Sequence, residues 1–67
     1  MLAIRKFRKE RNMTQVELSE KLGVTASAVT MWETGNREPS ISMVKKIADI
    51  FGCKVDDLFP NNFDKAE

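Results

Sequence analysis

Apolar residues recur along this chain at intervals of three and four: Ile4 and Phe7, then Leu18 and Leu22, then Val29 and Trp32, then Val44, Ile47, Ala48 and Phe51. That spacing is the period of a helix with one buried face, and no stretch alternates in the manner of a strand. Gly23, Gly35 and Gly52 each follow such a segment, where a helix ends on a left-handed residue. Thr14 with Glu17 has the spacing of a capping box, and Thr25 and Ser40 are further N-caps. Asp56 and Asp57 precede Leu58 and Phe59, so a short fifth helix opens near Val55 with its acids at the positive end of the dipole. Pro60 stops it. The pattern predicts an all-α, compact five-helix bundle with helices over about 2–11, 14–22, 25–34, 40–51 and 55–59. Residues 1–59 form the domain and 60–67 a short tail.

Length and composition sharpen this picture. A chain of 67 residues holds one small domain, which needs regular packing, a staple or a partner subunit to be stable. With one cysteine, Cys53, and no histidine, neither an internal disulfide nor a Cys/His zinc site can form. Nucleophilic chemistry based on imidazole is excluded too. Phosphate-binding and dinucleotide-binding glycine motifs are missing. No enzyme activity, metal or cofactor is therefore expected. The start, MLAIRKFRKERN, has neither the apolar core of a signal peptide nor the length of a spanning helix, so a cytoplasmic protein with no membrane partner is expected. Residues 1–48 carry nine Lys/Arg against five Asp/Glu, and residues 49–67 carry two against five, which together give the formal +1. A basic body with an acidic end can turn one face to phosphate and keep the other away.

The second and third helices are joined by Gly23, Val24 and Thr25 alone, a link short enough to force the steep crossing of a helix-turn-helix over residues 14–34. Ser19 is small where the helices approach, Gly23 permits the turn, and Val24 plugs its inner side. Leu18, Leu22, Val29 and Trp32 supply the shared core. The ordered set TQVELSEKLGVTASAVTMWETG is specific where any one of these residues would be weak.

This set, with Arg8 before it and Pro39-Ser40 and Val55-Asp56-Asp57-Leu58 after it, resembles the lambdoid-phage repressor and Cro family of helix-turn-helix proteins, also called the XRE family. The resemblance covers roughly residues 2–59. It implies a domain that binds double-stranded operator DNA as a twofold homodimer, usually to repress transcription, with the third helix, about 25–34, in the major groove. By family position Ala26, Ser27, Thr30 and Met31 face base edges. Thr14, Gln15, Thr25, Thr34, Asn36 and Arg37 are placed to hold and position phosphates. The resemblance also pairs Arg8 with Glu33 as a structural ion pair.

This recognition face departs from the family's common one in lacking Gln, Arg or Asn for bidentate base contacts. Ala26 and the Thr30 methyl suit a thymine methyl, and Ser27 or Thr30 can hydrogen-bond either way. Specificity is expected to lean on thymine contacts, DNA shape or Arg37. Met31 either reads a base or only faces solvent. Cys53 is expected to be a half-buried thiol, and Phe59 and Phe63 are candidates for the dimer contact. No small-molecule effector site is evident. Two functions compete: a DNA-binding regulator, and an antitoxin-type module whose main partner is a protein.

Overall fold

The computed structural model describes residues 2–59. Four α-helices follow one another: α1 (Ile4–Glu10), α2 (Gln15–Leu22), α3 (Ala26–Thr34) and α4 (Ile41–Phe51). The expected fifth helix is instead a single 3-10 turn, Val55–Leu58, so the five-helix count is corrected to four helices and a turn. The reason is length. Gly52 caps α4 in the left-handed conformation and Lys54 is already the N-cap of the next element, which leaves four residues before Phe59 departs from helical angles. Four residues close one turn of i to i+3 bonds but cannot build an α-helical ladder. Asp57 N–H donates to the Lys54 carbonyl, and the Asp57 carboxylate accepts from Lys54 N–H.

The caps stand where the residue types place them. Thr14 Oγ1 accepts from Glu17 N–H at 3.0 Å, and Glu17 Oε1 accepts from Thr14 N–H at 2.8 Å. Thr25 and Ser40 accept from Ala28 and Met43 N–H in the same way. The first helix begins two residues later than expected, because Ala3 N–H is bonded to the Leu58 carbonyl at 2.9 Å and ties the chain start to the closing turn. Asn12 takes positive φ, +53°, to turn the chain out of α1. Asn is one of the few L-residues that visits this region readily.

One core joins all five elements. Ile4, Leu18, Val29, Ile47 and Leu58 are each fully buried, one from each helix and one from the turn. Trp32, Leu22, Val44, Ala48 and Phe51 pack around them, with Phe7, Met13, Val24 and Ala28 at the edge. Each fully buried aliphatic side chain contributes roughly 1.5–3 kcal/mol, so every element is anchored by at least one. Arg11 adds a clasp at the rim. Its Nε donates to the Phe51 carbonyl, while its guanidinium lies 5.2 and 5.3 Å from the stacked rings of Phe7 and Phe51. No helix among the described residues is long and apolar enough to cross a membrane.

Candidate nucleic-acid interface

The link between α2 and α3 has the geometry that the sequence requires of it. Gly23 sits at φ +73° and Val24 N–H donates back to the Ser19 carbonyl at 3.0 Å, a left-handed helix end that reverses the chain within two residues. Ser19 is buried at the crossing, with its hydroxyl returned to the Val16 carbonyl. Leu18, Leu22, Val29 and Trp32 close the wedge between the helices.

Beneath α3 lies the expected ion pair. Arg8 Nε donates to Glu33 Oε2 at 2.7 Å and Nη2 to Oε1 at 3.2 Å, a two-pronged contact. Nη1 donates to the Met13 carbonyl at 2.7 Å. Only 9% of the Arg8 side chain and 4% of the Glu33 side chain reach solvent. Burial pushes the Glu33 carboxyl up, yet the hydrogen bonds from Arg8 and Gln15 and the charges of Arg8 and Arg5 outweigh it and hold the group below its ordinary value of 4.5.

The pair does not stop at two residues. Gln15 Nε2 donates to Glu33 Oε1 at 3.0 Å, and Gln15 Oε1 accepts from the Thr30 hydroxyl at 2.9 Å. Sequence position assigns Gln15 to phosphate, Thr30 to base edges and Glu33 to structure. The fold joins all three to Arg8 in one chain of hydrogen bonds that runs from α1 to the outer face of α3. No sequence signal carries that link, because its members come from three separate helices.

Ser27 and Thr30 are exposed on α3, and Ala26 and Met31 are half-buried there. Thr14 and Thr25 use their hydroxyl oxygens as cap acceptors, which leaves each O–H free to donate outward. Thr34 differs: its hydroxyl donates to the Met31 carbonyl at 3.3 Å. Asn36 and Arg37 are exposed in the loop after α3, and Arg37 N–H folds that loop back onto the Met31 carbonyl. Arg5 and Lys9, to which the sequence gives no role, line an open cleft with Asn12, Thr14, Gln15 and Thr34. Their spacing of four along α1 places them on one face, a signal available in the sequence.

Phe59 is 37% exposed, and Val16 and Ile41 are more so, at 53% and 79%. Phe63 and the tail 60–67 lie outside the described residues. Cys53 is half-buried; burial and the Asp57 charge raise its thiol above the ordinary 9.0, with Arg11 opposing them.

Comparison with known proteins agrees with this geometry. The profile of the Helix-turn-helix family matches residues 4–58. An HTH-type transcriptional regulator of Archaeoglobus fulgidus is 39% identical over 64 residues, 96% of this chain and 87% of the relative. One of Methanocaldococcus jannaschii is 40% identical over 53 residues, 79% of this chain and 80% of the relative. The HTH-type transcriptional activator BcrR of Enterococcus faecalis is 33% identical over 55 residues, 82% of this chain but 27% of that longer protein. A capped helix pair with a left-handed glycine at its turn, a buried arginine–glutamate pair beneath the second of the two helices, and a profile match over nearly the whole described region make this chain a member of the XRE-type helix-turn-helix family of DNA-binding transcriptional regulators.

Proposed function

We propose that the protein is a repressor that binds operator DNA as a twofold dimer, with α3 in the major groove. The observation that carries this reading is the position of the donors. Thr14 and Thr25 stand at the starts of the two helices with hydroxyl protons unused by their caps, and Arg5, Lys9 and Arg37 supply exposed cations at the cleft and in the loop after α3. Such groups fix a protein on the phosphate backbone. Between them Ala26, Ser27, Thr30 and Met31 present the small, mostly apolar surface that meets base edges. Thr34, exposed at the end of α3, and Asn36 in the loop after it are further positioning residues. Occupying a promoter with such a module blocks polymerase sterically and asks for no further surface, which favours repression over activation.

Selection of bound sites from random duplexes tests the reading, followed by affinity on every single-base variant of the best site. Ser27→Ala and Thr30→Val should change the ranking of variants at one or two positions per half-site, each mismatch being worth about 1–3 kcal/mol. Arg5→Ala, Lys9→Ala and Arg37→Ala should weaken all sequences by similar factors. Each should also flatten the slope of log affinity against log salt, by about 0.9 for every phosphate that is no longer neutralised. A reporter behind the selected site then gives the sign of regulation. Weak, salt-insensitive DNA binding beside tight capture of a toxin would select the antitoxin alternative.

A further inference from the structure

The hydrogen bonds beneath α3 have a direction, and the direction is forced at each link. Glu33 is held as a carboxylate by Arg8, and a carboxylate only accepts. The Gln15 amide group that lies 3.0 Å from Glu33 Oε1 must therefore be the nitrogen, since the opposite orientation would set two oxygens against each other. With its nitrogen committed inward, Gln15 turns its carbonyl oxygen to Thr30. The Thr30 hydroxyl, 2.9 Å away, must then donate. Its second neighbour, the Ala26 carbonyl at 3.1 Å, is also an acceptor. A hydroxyl has one proton, and both partners on the protein side take it.

We infer that Arg8, Glu33 and Gln15 set the hydrogen-bonding sense of the recognition face, so that Thr30 meets DNA only as an acceptor. Gln15 and Glu33 are thereby positioning residues for base readout, in addition to any contact Gln15 makes with phosphate through its second N–H. The consequence is specific. In the major groove cytosine N4 and adenine N6 carry hydrogen-bond donors, whereas guanine offers two acceptors and thymine an acceptor beside its methyl, with no donor on either. Phosphate oxygens are acceptors too. The Thr30 hydroxyl thus accepts from cytosine or adenine and gains no hydrogen bond from guanine, thymine or the backbone. This inference rests on α3 being the reading helix, as proposed above.

The test is the same random-duplex selection carried out with the parent, Thr30→Val, Thr30→Ser and Gln15→Met, each checked for helical content and melting. Thr30→Val keeps the methyl and removes the acceptor, so the half-site position whose preference it erases is the one Thr30 reads. At that position the parent should favour base pairs with cytosine or adenine on the strand that Thr30 faces over the same pairs reversed, by about twofold to tenfold, the span of one hydrogen bond. Thr30→Ser should keep the preference. Gln15→Met removes the nearer of the two acceptors and leaves only the 3.1 Å bond to the Ala26 carbonyl, which the hydroxyl can give up to donate outward, so the preference there should shrink to less than about twofold while the ranking elsewhere stays in place.

Three results would each overturn the inference while leaving the DNA-binding reading intact: a Thr30→Ser protein that loses the preference at that position, a Thr30→Val protein with the parental ranking everywhere, or a Gln15→Met protein that weakens all sites equally and keeps the preference. The first two need only a surface variant, so they decide the matter even if Gln15→Met folds poorly. Failure of the parent to select any sequence would sink the DNA-reading proposal itself.

Discussion

Three side-chain hydrogen bonds converge on Glu33: it accepts twice from Arg8 and once from Gln15 with its side chain almost out of solvent. An ion pair so placed gains little net stability over apolar residues of the same size, yet removing one partner strands the other charge. Arg8→Met should accordingly destabilise the domain by about 3 kcal/mol or more, and Arg8→Met with Glu33→Leu should recover most of that loss in thermal melts. If the double variant is no more stable than the single, the pair does more than neutralise a buried charge. The pH dependence follows from the lowered Glu33 value. The folded group binds its proton less readily than the unfolded one, so its contribution is complete above the unfolded value and is lost as pH falls through the folded value, below 4.5. Glu33→Gln should flatten the acid limb of a stability-against-pH curve in that window. Cys53 behaves oppositely in reactivity. Its raised thiol carries less thiolate at neutral pH, and slow alkylation relative to a free peptide cysteine is expected.

At the scale of the element, the turn between α2 and α3 makes the sharpest prediction. A Cβ on Gly23 would meet nothing within 4 Å, so the constraint is the φ of +73° and not a lack of space. Gly23→Asn should be tolerated at a cost of about 1 kcal/mol, while Gly23→Val, whose branched side chain resists positive φ, should cost appreciably more. Equal melting of the two variants would mean that the turn is not strained as described. The caps and this turn are legible in the sequence because each is local: Thr14 and Glu17 stand three apart, and Gly23 follows directly on the helix it ends. The helix-turn-helix core is legible for the same reason, its residues being spaced by helical turns on adjacent helices. The closing turn differs from its expected form because the acids and the apolar pair that open a helix there also suit a 3-10 turn, and only the distance between the caps at Gly52 and Lys54 and the end at Phe59 decides between them. The chain through Gln15 has no sequence signature, since Glu33 lies 18 residues and Thr30 15 residues from it and their meeting depends on how the helices cross. The stack of Arg11 on Phe7 and Phe51 is hidden likewise.

For the molecule as a whole, the question is how one small recognition surface selects a site. The reading face proposed for α3 offers four side chains, none with the two-pronged reach of Arg or Gln, and a single copy reading through it would cover too few base pairs to stand out among competing sequences. A second copy on a half-site about 34–36 Å away doubles the readout. The acidic closing turn, with Asp56, Asp57 and the partly exposed Phe59, suits the contact between copies, because its charge disfavours phosphate and its ring gains by being covered. Sedimentation should then show two chains per selected duplex, with Phe59→Asp weakening association while each domain still melts as the parent does. Salt supplies an independent check. Every phosphate neutralised adds about −0.9 to the slope of log affinity against log salt, so a duplex with both half-sites should give a slope about twice that of a duplex with one. A single chain per duplex at high protein concentration, with the same slope on both, would leave α3 as the reader and remove the dimer. Two chains whose association Phe59→Asp does not disturb would keep the dimer and move its interface elsewhere on the domain.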